Sequence, residues 1–227
     1  LGRFIVIAGD ADEATEEAAG ELARWLAQVC GEEFAVSRVS SNAPSSAIFL
    51  LDAGAPLVAE RDRARLRDQG AEAFVIRSDR DERLWIVGNS RLAIQHGVYY
   101  YLDLLGCRWF FPNDRWTIIP SLSSISMKVD RLEAPAFRYR SFGGTGGFGG
   151  SLVLDADRSM QARWGKWEAR NRLGGEMPLS GHTGEAFNMA HRKILEAHPE
   201  YLAELDGKRQ PWSEITKLCG SNPEVRK

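Results

Sequence analysis

The segment RLWIVGNSRLAIQHGVYYYLDLLGCRWFFP, Arg83 to Pro112, narrows the possible folds more than any other part of the chain. Leu84 to Val87 is a short β-prone apolar run that suits a buried strand. Gly88-Asn89 ends it, and Ser90 stands where a hydroxyl caps the free amides of a helix. Ala93, Ile94, Gly97, Val98, Tyr101, Leu102 and Leu105 then recur at three- and four-residue spacing, which puts them on one helix face. Gly106 supplies the left-handed residue that commonly follows a helix, Trp109 to Phe111 returns to extended chain, and Pro112 stops it. A helix this apolar needs a sheet to lie on, so the unit is the centre of a domain.

The segments before it supply that sheet. Arg3 to Ala8, Phe34 to Val39, Ala47 to Leu51 and Ala73 to Arg77 read as strands, the last forming a hairpin with Leu84 to Val87 through SDRDER. Asp10 or Asp12 caps a first long helix, whose stripe is Ala14, Ala18, Leu22, Trp25, Leu26 and Val29 and whose stop is Gly31. Asp62 to Asp68 is so densely charged that a solvated surface stretch is expected. Trp116 to Ile119 and Ile125 to Val129 complete the strands, and Trp109 to Phe111 reads as core. Helices against one face of a mixed sheet, an α/β sandwich, is the economical packing.

The texture changes near Glu133-Ala134-Pro135. Pro135 to Phe142 reads as a strand running into the glycine loop Gly143 to Gly150. A helix over Asp155 to Arg172, a weak strand over Glu176 to Leu179, and a short helix over Phe187 to Ala197 follow. Tyr201 to Leu205 and Lys208 to Gln210 form a hairpin around Asp206-Gly207.

Several classes of function are disfavoured by this composition. A net charge of −2 without a basic block argues against nucleic acid. No apolar run approaches the ~20 residues needed to cross a bilayer. Cys30, Cys107 and Cys219 give neither a metal spacing nor a disulfide framework. The chain opens at Leu1, directly into a strand, so the lack of a targeting segment in it decides little about compartment; an extracytoplasmic location, periplasmic or secreted, is the expectation.

The chemical signals are local. Gly144, Gly146 and Gly149 form a GxGxxG, but the next helix begins several residues late and the position where a dinucleotide ribose needs an acid falls inside that same helix. His191 and His198 are two helical turns apart, too far to share an ion, so neither a metal nor a cofactor is expected. Arg140 stands near the carboxyl end of its strand, where a guanidinium can give paired hydrogen bonds to a carboxylate or to vicinal hydroxyls. His182 lies in a Gly-His-Thr-Gly loop that can reach a pocket. No spacing predicts two carboxylates flanking a bond, so the catalytic residues are unknown.

EAFVIRSD, LWIVGNSRLAIQHGVYYYLDLLGCRWFFP and IIP resemble the N-terminal accessory domain of β-N-acetylhexosaminidases and α-glucuronidases, an α/β domain that precedes a (β/α)₈ barrel. PAFRYRSF, WEARNRLGG, GHTG, HPEYLAELDGKR and LCGSNPEV are similar to the start of the barrel in a bacterial glycoside hydrolase family built the same way. The resemblance implies an accessory domain over 1–131 and the first units of an incomplete (β/α)₈ barrel over 132–227. It also implies that Arg140 holds hydroxyls of a bound sugar and that Asn171 and His182 line the same site. The implied substrate is a poly- or oligosaccharide carrying an acidic or N-acetylated sugar. The acidic pair of such enzymes belongs to a later barrel strand, so this portion alone is expected to be inactive. The alternative is a non-catalytic carbohydrate-binding or assembly module; oligomeric state is not legible.

Overall fold

The computed structural model describes residues 2–39, 46–79, 82–140, 158–175 and 183–226. The chain divides into two units, Leu1–Gly175 and Glu176–Lys227.

The first unit is built on a six-stranded mixed sheet. Its elements run β1 (Phe4–Ala8), α1 (Glu13–Cys30), β2 (Ala35–Val39), β3 (Ile48–Asp52), α2 (Glu60–Leu66), β4 (Phe74–Ser78), β5 (Leu84–Gly88) and α3 (Arg91–Leu105). They continue with β6 (Arg108–Trp109), β7 (Thr117–Ile118), β8 (Asp130–Glu133) and α4 (Arg158–Arg170). Strand order is β2-β1-β3-β5-β4-β8. The first four are parallel, while β4 is antiparallel to both neighbours and closes the expected hairpin with β5.

The two long helices form for the reasons legible in the sequence. Asp12 accepts from the Thr15 amide at 2.9 Å and Ser90 from the Ala93 amide at 3.2 Å, each satisfying a free helix donor. Gly31 and Gly106 end the helices at φ of 72° and 103°. Both lay their apolar stripes on one sheet face, where Leu22, Leu26, Val98 and Leu102 meet Ile5, Ile7, Leu50, Ile76 and Ile86. Trp164 and Trp167 of α4 join the same cluster.

Helices on a single face is not what the structure has. The opposite face of Val6, Phe49, Leu51, Val75, Trp85 and Val87 is buried too, beneath Val58 and Leu66. Leu66 belongs to α2, the stretch expected to be solvated surface. There Asp62 is wholly buried and accepts a 2.7 Å hydrogen bond from Arg77 Nε, and the Arg77 guanidinium lies 4.9 Å from the Trp85 ring centroid. The charges of α2 therefore include one half of an interior ion pair.

Other expectations shift at the edges. Ile125 to Val129 is outside the ladder, which begins at Asp130. Trp109 is core, but Phe110 and Phe111 are 59% and 49% exposed. Residues 135–140 form no strand; their one ladder contact is an isolated bridge in which Arg140 and Gly174 exchange two hydrogen bonds of 2.8 Å. The glycine loop, the strand expected over Glu176 to Leu179, and His182 lie outside the described residues.

In the second unit the expected helix is divided into α5 (Thr183–Ala190) and α6 (Arg192–Ala197), with His191 between them. Buried Asn188 donates to the carbonyls of Ser213, Glu214 and Thr216, tying an irregular segment to α5. The hairpin β9 (Glu204–Leu205) and β10 (Lys208–Arg209) turns through Asp206 and Gly207, both at positive φ, as a two-residue Asp-Gly turn requires. Among the described residues no helix is long and apolar enough to cross a membrane.

Candidate functional site

Two of the three residues singled out in the sequence, Arg140 and Asn171, line one recess of about 250 Å³ in the first unit. Its wall also carries Glu72 and Phe74 at the start of β4, His96 and Tyr100 of α3, Glu133 at the end of β8, and Arg172 beyond α4. The helix can bring its side chains this close because of Gly97. A Cβ at that position would meet Ile86 Cγ2 at 2.3 Å, so only glycine lets α3 sit down on β5.

Arg140 is the hub of this wall. Its Nε donates to the Arg172 carbonyl at 2.9 Å, its Nη1 to the Phe137 carbonyl at 2.8 Å, and its Nη2 to the Glu72 carboxylate. The guanidinium thus ties three separate stretches together, and one donor from each of its nitrogens is engaged by the protein. Asn171 has a similar local duty: its Nδ2 donates to the carbonyls of Trp109 at 3.0 Å and Trp167 at 2.9 Å. Trp167 Nε1 donates to the same Trp109 carbonyl at 2.9 Å.

His96 is 2% exposed, and among the described residues its Nε2 has no hydrogen-bond partner. Its Nδ1 stands 3.6 Å from Glu72 Oε2, an electrostatic contact longer than a hydrogen bond. Burial pushes the imidazole pKa down; Glu72 opposes this, the Arg140 and Arg172 charges add to it, and the result is about 4. His96 is therefore neutral at ordinary pH. Tyr100 donates to Glu133 Oε1 at 2.8 Å and packs edge-on against Phe74, with ring centroids 5.5 Å apart.

This arrangement holds separate chain segments together. Glu72 is ion-paired with the Arg140 cation, and the His96 imidazole is buried and neutral. Among the described residues no group of His, Cys, Asp and Glu is placed to hold a metal ion. Glu72, His96, Glu133 and Arg172 were not legible as site residues. The one available signal was His96 itself, a polar residue between Ile94 and Val98 on an otherwise apolar helix.

No family profile and no curated sequence matches the chain. Among solved structures it is similar to a family GH115 4-O-methyl-α-glucuronidase with specificity for decorated arabinogalactans, at 16% identity and a TM-score of 0.51. That similarity covers 75% of this chain and 24% of the enzyme. A GH138 enzyme targeting pectin rhamnogalacturonan II is matched at 18% identity and a TM-score of 0.38, over 60% of this chain and 12% of the enzyme. The chain thus spans about a quarter of the first neighbour's length, and with that part of a glycoside hydrolase it shares its fold.

Proposed function

We propose that this chain is the N-terminal portion of a larger glycoside hydrolase that acts on a poly- or oligosaccharide carrying an acidic or N-acetylated sugar. The observation that carries the reading is the fold likeness to the GH115 glucuronidase across three quarters of the chain. In this reading residues 1–131 are the accessory domain and residues 132–227 open the (β/α)₈ barrel. Arg140, Asn171 and His182 are its sugar-side residues, the acidic pair belongs to a later part of the longer protein, and the whole is exported from the cytoplasm. The Arg140 links to Glu72 and to the Phe137 and Arg172 carbonyls support a positioning role as well, because they fasten the onset of the second region to the sheet.

One observation favours a second reading, a carbohydrate-binding or assembly module without chemistry: each Arg140 nitrogen already donates to the protein. A panel of 4-nitrophenyl glycosides, including glucuronides and N-acetylhexosaminides, separates the two. The longer protein should release nitrophenol and the 227-residue chain should not. Turnover by the shorter chain would overturn the placement of the acids. A longer protein that binds glycans without turnover would establish the second reading.

A further inference from the structure

The end of α4 carries a residue that local geometry alone does not favour. The Leu173 amide donates to the Glu168 carbonyl at 2.9 Å and the Arg172 amide to the Ala169 carbonyl at 3.0 Å, the paired bonds of a Schellman helix end. That motif needs a left-handed residue at the position Arg172 occupies, and glycine is the usual choice. Arg172 is there at φ 54°, at a cost of about 1 kcal/mol for its Cβ. The backbone gains nothing from arginine at this point; its side chain is what the position adds.

That side chain lines the recess. Its guanidinium carbon lies 5.3 Å from the centroid of the Tyr100 ring, and among the described residues it makes no ion pair. Arg140, by contrast, is neutralised by Glu72. The two carboxylates of the wall keep capacity to accept, since each has two oxygens and Glu72 is held by Arg140 and Glu133 by Tyr100 through one oxygen apiece. A second polar atom waits unmatched: His96 Nε2, in a side chain 2% exposed on the same wall. Buried polar atoms without partners are rare and call for a ligand or water.

Charge and size select the ligand class. Glu72, Glu133, Arg140 and Arg172 sum to zero with His96 neutral, and Arg131 adds a cation 4.0 Å from Glu133 Oε1, so a monoanion is tolerated while a phosphate dianion meets two nearby carboxylates. A neutral sugar would bring Arg172 no counter-charge, and none of the described residues supplies one. About 250 Å³ lies below the usual range for drug-sized ligands, roughly 300–1,000 Å³, and suits one sugar residue but no oligosaccharide. We propose that the recess binds a single carboxylate-bearing sugar residue, its carboxylate paired with Arg172 and its hydroxyls donating to Glu72 and Glu133. The choice of a sugar rests on the carbohydrate-active reading above; the need for an anion rests on Arg172 alone.

The test uses calorimetry on the 227-residue chain with D-glucuronate, D-glucose and acetate, and so does not depend on any hydrolytic activity. Glucuronate should bind, and glucose and acetate should bind at least about tenfold more weakly, as expected when a charged pair or a set of hydroxyl contacts is missing. Arg172→Asn suits the left-handed backbone and removes the cation, and should weaken glucuronate about tenfold or more. Arg172→Lys keeps the charge without the planar fork and should fall between the two. Unchanged thermal unfolding of both variants shows that the fold is intact. A methyl glucuronoside that binds as well as the free acid assigns the site to a terminal residue of a glycan; binding of the free acid alone assigns it to a monosaccharide. Absence of glucuronate binding, equal binding of glucose or acetate, or undiminished binding by Arg172→Asn would each overturn the proposal.

Discussion

Arg140 and Glu72, 68 residues apart in sequence, form an ion pair in which the arginine arrives from the chain after the last sheet strand and the glutamate from the entry to β4. The pair is mostly shielded from water, with side chains 16% and 22% exposed. Removing one partner leaves the other desolvated and unpaired, which costs more than the bond itself contributes. Arg140→Met should therefore lower unfolding stability by about 2 kcal/mol in urea titrations. Glu72→Gln should cost about half as much, because its amide oxygen still accepts from the guanidinium. A double variant that costs the sum of the two would show that the residues are not coupled.

The buried pair on the other face gives a larger effect. Asp62 has no exposed surface, and Arg77, 7% exposed in its side chain, donates to it at 2.7 Å. Asp62→Ala strands a cation in the second core and should destabilise by about 3–5 kcal/mol. Asp62→Leu combined with Arg77→Met removes both charges while keeping bulk, and should recover most of that loss. Chemical denaturation of the single and double variants checks this; a double variant no better than Asp62→Ala would assign the loss to packing.

His96 makes stability depend on pH in a definite direction. Its folded pKa of about 4 is below the ordinary 6.5, so between those values the unfolded chain binds a proton that the folded chain does not. Its contribution is complete above pH 6.5 and is lost as pH falls towards 4, at up to about 1.4 kcal/mol per pH unit. Glu21 lies in a different window. Burial raises its pKa, but Arg24, the Trp25 hydrogen bond and the Arg170 charge together outweigh that and hold it below 4.5, so its contribution is lost only at more acid pH. His96→Gln should flatten the slope of unfolding free energy between pH 4.5 and 6.5 relative to the parent, as followed by thermal melts across that range. An unchanged slope would mean that the imidazole titrates normally in the fold.

What the sequence disclosed follows from how local each signal is. The two long helices carry their caps, stripes and stops within a few residues of one another, and α1 and α3 appear where those signals lie. The second buried face was implied by runs such as Ile48 to Leu51, apolar at every position where a half-exposed strand would alternate. The charges of α2 concealed its cover, because no spacing reveals that Asp62 meets Arg77 from another strand. Arg140 and Asn171 were singled out from position and resemblance, yet their observed partners, Glu72 and the Trp109 carbonyl, are 68 and 62 residues away. Arg172 was invisible for another reason: its significance is a left-handed backbone at a helix end, and the glycines expected to mark such an end follow it at 174 and 175.

Two glycines in the helices should answer the same substitution with opposite signs. Gly97 sits where α3 touches the sheet, and an added Cβ would stand 2.3 Å from Ile86 Cγ2 and 3.2 Å from Phe74 Cδ2. Phe74 and Ile86 are both buried, so neither can swing aside into solvent. Gly97→Ala should therefore lift α3, cost about 1–3 kcal/mol, and open the recess by moving His96 and Tyr100 away from Glu72. Gly20 lies within α1 with nothing inside 4 Å of its added Cβ, so Gly20→Ala only reduces the freedom of the unfolded chain. It should stabilise by about 0.5–1 kcal/mol. Urea unfolding of both variants reads the contrast directly. A neutral Gly97→Ala would show that α3 already stands off from β5, and the close approach that assembles the recess wall would be wrong.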